Sequence, residues 1–103
     1  MEIADAFAER GFTVIESATA EHAAEIVAAS PDLALLVTDI RLAGAKDGWE
    51  LAIDARAFSP GIAVIYLSAN PPAPDRTVEG GVFIDKPALM ETVIAAAETL
   101  LEN

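Results

Sequence analysis

Leu33-Ala34-Leu35-Leu36-Val37-Thr38-Asp39 is the stretch that decides the fold. Its first five residues are apolar without alternation, the pattern of a strand buried on both faces. The run ends in Thr38 and a carboxylate, Asp39. An Asp at the end of such a strand is either a turn residue leaving the sheet or a functional group, because open parallel sheets carry their chemistry at the carboxyl ends of their strands. The stretch alone leaves both readings open.

On its N-terminal side, Ser30-Pro31 ends a helix expected over 20–29, with Thr19 as N-cap and Ala23, Ile26 and Val27 as the apolar stripe. His22 falls in the first turn, off that stripe, and reads as a surface residue. Residues 12–16 are β-branched and aromatic, which predicts a strand. Residues 1–10 predict a short helix, with Ile3 and Phe7 on one face and Gly11 as its stop.

On the C-terminal side, two glycines and mixed charge predict a loop over 40–48. Asp47 is placed to cap a helix over 49–58, with Leu51, Ala55 and Phe58 on one face and Trp49 half-buried. A turn at Ser59-Pro60-Gly61 leads to a second strand buried on both faces, 62–67, which ends in Ser68-Ala69-Asn70. Pro71, Pro72 and Pro74 forbid a regular helix, and 75–80 reads as loop. A short strand over 81–85 runs into Lys86-Pro87. The last helix, 88–102, carries Leu89, Val93, Ala97 and Leu100 as its stripe. Strands alternating with helices predict an α/β fold with a parallel sheet. With no repeat and no linker, 1–103 is expected to be one domain.

The chain has 103 residues, 53% hydrophobic and 6% aromatic, enough for one aliphatic core. Its formal net charge of −11 repels phosphate backbones and anionic membranes, so no direct nucleic-acid or membrane partner is expected. The same charge suits divalent cations or basic partner surfaces. The absence of cysteine excludes disulfides and thiolate chemistry, and a single histidine excludes a multi-histidine metal site. No apolar run approaches the ~20 residues of a membrane span. The N-terminus lacks the basic start and apolar centre of a signal peptide, so a cytoplasmic protein is expected.

Asp39, Ser68 and Lys86 stand at three strand ends, which a parallel sheet brings to one edge. A carboxylate can attack a phosphoryl group to form an acyl phosphate. Lysine can neutralise the new oxyanions as a point charge, and a hydroxyl can donate to a phosphoryl oxygen.

This pattern resembles the receiver domain of two-component response regulators. The resemblance rests on Pro31-Asp32-Leu33 leading into a strand that ends at Asp39, on Asp47-Gly48-Trp49-Glu50-Leu51, on Ser68-Ala69, and on Phe83 three residues before Lys86-Pro87. It implies a flavodoxin-like parallel sheet of order 2-1-3-4-5 with helices on both faces. It implies Asp39 as phosphoacceptor, Ser68 as switch hydroxyl, Lys86 as the partner of the phosphoryl group and Phe83 as switch aromatic. A cis Lys86-Pro87 peptide is implied too. Mg²⁺ would take Asp39 and the backbone carbonyl of Arg41 as ligands. The implied partner is a histidine kinase or a phosphotransfer protein, and the protein would act as a switch more than as a metabolic enzyme.

Two departures qualify the resemblance. The family opens with a strand ending in an acidic pair that holds Mg²⁺; here residue 1 already lies in the first helix, and Glu2 and Asp5 are helical. The expectation is therefore a receiver without its first strand, begun at an internal Met or degenerate, with Mg²⁺ binding weak or absent. Its open strand edges would pair directly, 12–16 with 33–38, or lead to homo-oligomers or strand exchange. The interval from Ser68 to Lys86 is short and proline-rich, so the family's fourth helix is expected to be reduced. A second function fits this chain: an interaction domain independent of phosphorylation. A small aspartate-nucleophile phosphatase fits less well, because no second carboxylate follows Asp39 closely and no substrate cap is present.

Overall fold

The computed structural model describes residues 2–11, 19–30, 33–40, 47–68, 77–86 and 89–101. The expected strand over 12–16, Arg41, the proline cluster and Pro87 lie outside the described residues, and so does any pairing of 12–16.

Helix α1 (Glu2–Glu9) comes first. It stops at Gly11, whose φ of +91° is the left-handed conformation that glycine adopts without strain. The Arg10 and Gly11 N–H groups donate to the Phe7 and Ala8 carbonyls, both at 3.0 Å, tightening the last turn. Helix α2 (Ala20–Ala29) begins where expected, with the Thr19 side chain accepting from the His22 N–H at 3.1 Å. Strand β1 (Leu35–Asp39) leads to helix α3 (Gly48–Phe58). A reciprocal cap starts α3: the Glu50 N–H donates to Asp47 Oδ1 at 2.9 Å, and the Asp47 N–H donates to Glu50 Oε1 at 3.2 Å. Strands β2 (Ala63–Ser68) and β3 (Val82–Asp85) and helix α4 (Met90–Leu101) complete the described elements.

The three strands form one parallel sheet in the order β1-β2-β3. Alternation along the strands sends side chains to two cores. On one face Leu36, Val64, Tyr66 and Phe83 pack with Val27 of α2 and with Trp49, Ala52 and Ala55 of α3. On the other, Leu35, Val37, Ile65, Leu67, Val82 and Ile84 pack with Phe7 of α1 and with Val93, Ile94 and Ala97 of α4. This is the α/β parallel sheet that the strand and helix pattern predicts, with helices on both faces as the resemblance implies. Between β2 and β3 the described residues 77–81 form turns, not helix.

Four expectations are corrected. Leu35 and Val37 of β1 reach one core and Leu36 the other, as a strand covered on both faces requires, but all three are only half-buried; among the described strands the fully buried one is β2, in the middle. Phe58 is 57% exposed, because α3 ends there and the turn at Ser59 brings Ile62, not Phe58, into the core beyond Ala55. Leu89 is 72% exposed. It precedes α4, and its carbonyl accepts from the N–H groups of Thr92 and Val93, so it starts the helix instead of joining its buried stripe. Trp49 is only 5% exposed, sealed between Tyr66 and Phe83.

Tyr66 is fully buried, and its hydroxyl accepts from the Val78 N–H at 3.1 Å. Arg56 of α3 holds the same region: its Nε donates to the Ile62 carbonyl and its guanidinium Nη1 to the Glu79 carbonyl, both at 2.7 Å. Burial pushes the Tyr66 phenol above its ordinary 10.0, against the smaller opposing effects of the Val78 bond and of Arg56. Above pH 10.0 an unfolded tyrosine loses its proton while Tyr66 keeps it. The unfolded state then binds fewer protons, so stability is full below that pH and falls as pH rises toward the titration of Tyr66 itself. Tyr66→Phe removes this loss. In urea titrations on both sides of pH 10.0, the wild-type midpoint is expected to fall more steeply with pH than the variant's; parallel curves would contradict the assignment.

Candidate functional site at the carboxyl edge of the sheet

Asp39 is the last residue of β1, in register with Leu67 of β2. Its backbone is fixed from several directions. The buried Thr38 hydroxyl donates to the Asp39 carbonyl at 2.8 Å. The next N–H, of Ile40, donates to the Leu67 carbonyl at 3.1 Å, and the Ile40 carbonyl accepts from the Gly48 N–H at 2.7 Å. The first turn of α3 is thereby pressed against the end of β1. A Cβ at Gly48 would stand 2.1 Å from the Asp39 carbonyl oxygen and 2.9 Å from the Ile40 Cα, so only glycine fits. The sequence places Gly48 in the loop over 40–48 and in the stretch that carries the resemblance, but gives it no part in holding Asp39; it is the first residue of α3. The available signal was local, the Asp47–Glu50 cap that starts a helix there, whereas the contact across to Asp39 is tertiary.

Lys86 follows β3 directly, and its ammonium forms an ion pair with Asp39 Oδ1. The two side chains are 44% and 35% exposed. Ion pairs in such contact with water are worth about 0–1 kcal/mol, so the fold does not depend on this one. What the pair offers is chemical: a carboxylate oxygen with a cation already beside it.

Ser68 ends β2, with its backbone in register with Asp85, and its side chain lies outside the description. Phe83 is half-buried against the core of α2 and α3 and stacks on Trp49, ring centroids 6.2 Å apart and planes 18° from parallel. Asp39 and Lys86 are thus brought into contact, and Ser68 stands one register position beyond the β2 residue opposite Asp39. Glu2 and Asp5 belong to α1, where Asp5 is exposed.

The resemblance implies Mg²⁺ at this edge. Mg²⁺ demands near-octahedral oxygen ligation, commonly through one or two carboxylates. Among the described residues no group of three or more His, Asp or Glu side chains could hold a metal ion, and Asp39 is already engaged by Lys86. The described donors do not make up that site.

No protein-family model and no curated protein matches the chain. Solved structures do. A response regulator receiver protein from Sinorhizobium medicae is 25% identical, with a TM-score of 0.88 over 98% of this chain and 83% of that one. The N-terminal domain of a response regulator/sensory box/GGDEF protein from Carboxydothermus hydrogenoformans is 28% identical, with a TM-score of 0.80 over 98% and 83%. The receiver domain of NtrX from Brucella abortus is 25% identical, with a TM-score of 0.76 over 99% and 88%. With the sheet, its two helical layers and the Asp39–Lys86 edge already described, the chain is recognisable as similar to response regulator receiver domains and shares their fold.

Proposed function

We propose that the protein is a signalling switch that accepts a phosphoryl group on Asp39 from a histidine kinase or a phosphotransfer protein. The observation that carries this reading is the Asp39–Lys86 ion pair at the carboxyl edge of a parallel sheet. In the transfer, an Asp39 carboxylate oxygen bonds to phosphorus as the bond from phosphorus to the donor histidine nitrogen breaks, and the freed imidazole takes up a proton. The product is an acyl phosphate. Lys86 moves with the charge, from the carboxylate to the phosphoryl oxygens, acting in cis at the acceptor. Ser68 is the candidate donor to a phosphoryl oxygen, Phe83 the candidate switch aromatic, and the Arg41 carbonyl a candidate Mg²⁺ ligand together with Asp39. The 103 residues act as one domain, with output through altered surfaces.

Incubation with Mg²⁺ and acetyl phosphate, followed by intact mass measurement, tests the reading. Wild type is expected to gain one phosphoryl group and Asp39→Asn none. Lys86→Gln is expected to unfold within about 1 kcal/mol of wild type, as a half-exposed pair implies, yet to be phosphorylated at least ~10-fold more slowly, the size of effect that charge-stabilising groups have on transfer. A gain by Asp39→Asn equal to that of wild type would overturn the assignment. Absence of any adduct would favour the second reading, an interaction domain independent of phosphorylation. The incomplete described donor set for Mg²⁺ is the observation on its side.

A further inference from the structure

Helix α3 carries two stripes of side chains. The inner one, with Leu51, Ala52 and Ala55, is buried. On the other side Glu50, Ile53, Asp54, Ala57 and Phe58 follow at i, i+3, i+4, i+7 and i+8, the spacing of a single helix face. The outer face of a helix lying on a sheet is ordinarily polar. Here Ile53 is 53% and Phe58 57% exposed, with exposed Ala57 between them. Ile53 and Phe58 lie outside both cores.

The charge around this stripe is one-sided. Helix α2 packs beside α3 on the same face of the sheet. Together the two helices hold the carboxylates of Glu21, Glu25, Glu50 and Asp54 against one formal base, Arg56. Arg56 directs Nε and Nη1 at the Ile62 and Glu79 carbonyls.

We propose that the outer face of α3 is a docking surface for a basic amphipathic helix of a partner protein. The apolar side of such a helix covers Ile53, Ala57 and Phe58, and its flanking lysines or arginines meet the carboxylates of α2 and α3. A second copy of this chain suits the surface poorly. Each copy carries a formal charge of −11, so two of these faces would set carboxylate against carboxylate. The same repulsion disfavours an anionic membrane. Phe58 lies about 15 Å along α3 from Gly48, the residue against Asp39, and docking does not depend on phosphoryl transfer to Asp39. The two proposals therefore fail separately.

The test uses the unphosphorylated protein and a fluorescein-labelled peptide of leucine and lysine, about 18 residues long, with its leucines on one helical face. A peptide of the same composition with the leucines scattered is the charge-matched control. Anisotropy is read at an ionic strength of about 0.15 M, where bulk attraction is largely screened. The amphipathic peptide is expected to bind at least ~10-fold more tightly than the control. Ile53→Ser/Phe58→Ser is expected to remove most of that difference, since a few central apolar residues dominate such contacts. Ala57→Lys, at an exposed position, sets a like charge against the peptide and is expected to do the same if the double variant proves unstable. Leu89→Ser, at a residue 72% exposed but outside the stripe, is expected to bind as wild type does. Equal binding of the two peptides, or equal losses in Leu89→Ser and the stripe variants, would overturn the proposal. So would self-association in sedimentation that the stripe variants abolish, because the occupant would then be a second copy.

Discussion

Gly48→Ala is expected to destabilise the protein by about 2 kcal/mol or more and to slow phosphorylation of Asp39. In an ordinary helix interior the same replacement gains about 1 kcal/mol. Here the new methyl would stand 2.1 Å from the Asp39 carbonyl oxygen and 2.9 Å from the Ile40 Cα. Both are backbone atoms, so no side-chain rotamer can relieve the clash. Overpacking of this kind costs about 1–3 kcal/mol and sometimes more, which outweighs the propensity gain. Relief requires α3 to retreat from the end of β1, stretching the Gly48–Ile40 bond now at 2.7 Å. Gly61 provides the control. A Cβ there meets nothing within 4 Å, so Gly61→Ala is expected to be neutral or to stabilise by up to about 1 kcal/mol. Urea unfolding of both variants checks the contrast, and equal midpoints would contradict it.

The largest loss of stability is expected from Trp49→Ala, at about 3–5 kcal/mol. The indole is buried between two aromatic rings, and offset or tilted pairs add about 0.5–1.5 kcal/mol beyond area burial. Domains are typically stable by only about 5–15 kcal/mol. The variant is therefore expected to melt at least ~10 °C lower, given about 4–8 °C per kcal/mol at this size. Trp49→Phe retains one ring and is expected to lose less than half as much. A thermal melt of the three proteins orders them. Trp49→Ala melting with wild type would show that the indole is not a core residue.

Much of the fold was legible because its signals are local. Thr19 and Asp47 announce helices through short-range caps, and the five apolar residues from Ile62 to Tyr66 fill the centre of the sheet. Periodicity overreached at helix ends. Phe58 and Leu89 keep the spacing of a buried stripe, but one closes α3 and the other precedes α4, and both are exposed there. The strand quoted first and the one over 62–67 carry the same apolar signal, yet among the described strands the full burial belongs to β2, which lies in the middle. At the candidate site, chain order indicated which strand ends share an edge, and the structure brings Asp39 and Lys86 into contact there. The close approach of Gly48 to Asp39 was not legible: it is a tertiary contact between α3 and the end of β1, which no spacing in the sequence encodes.

The most direct test of the central claim is to trap and locate the phosphoryl group. Borohydride reduces an aspartyl phosphate to homoserine, so the protein is treated with acetyl phosphate and Mg²⁺, reduced, cleaved after arginine and sequenced by mass. The peptide 11–41 carries both Asp32 and Asp39. Homoserine at position 39 and not at 32 is the predicted result. Homoserine at another carboxylate, or an adduct that resists reduction, would contradict Asp39 as the acceptor.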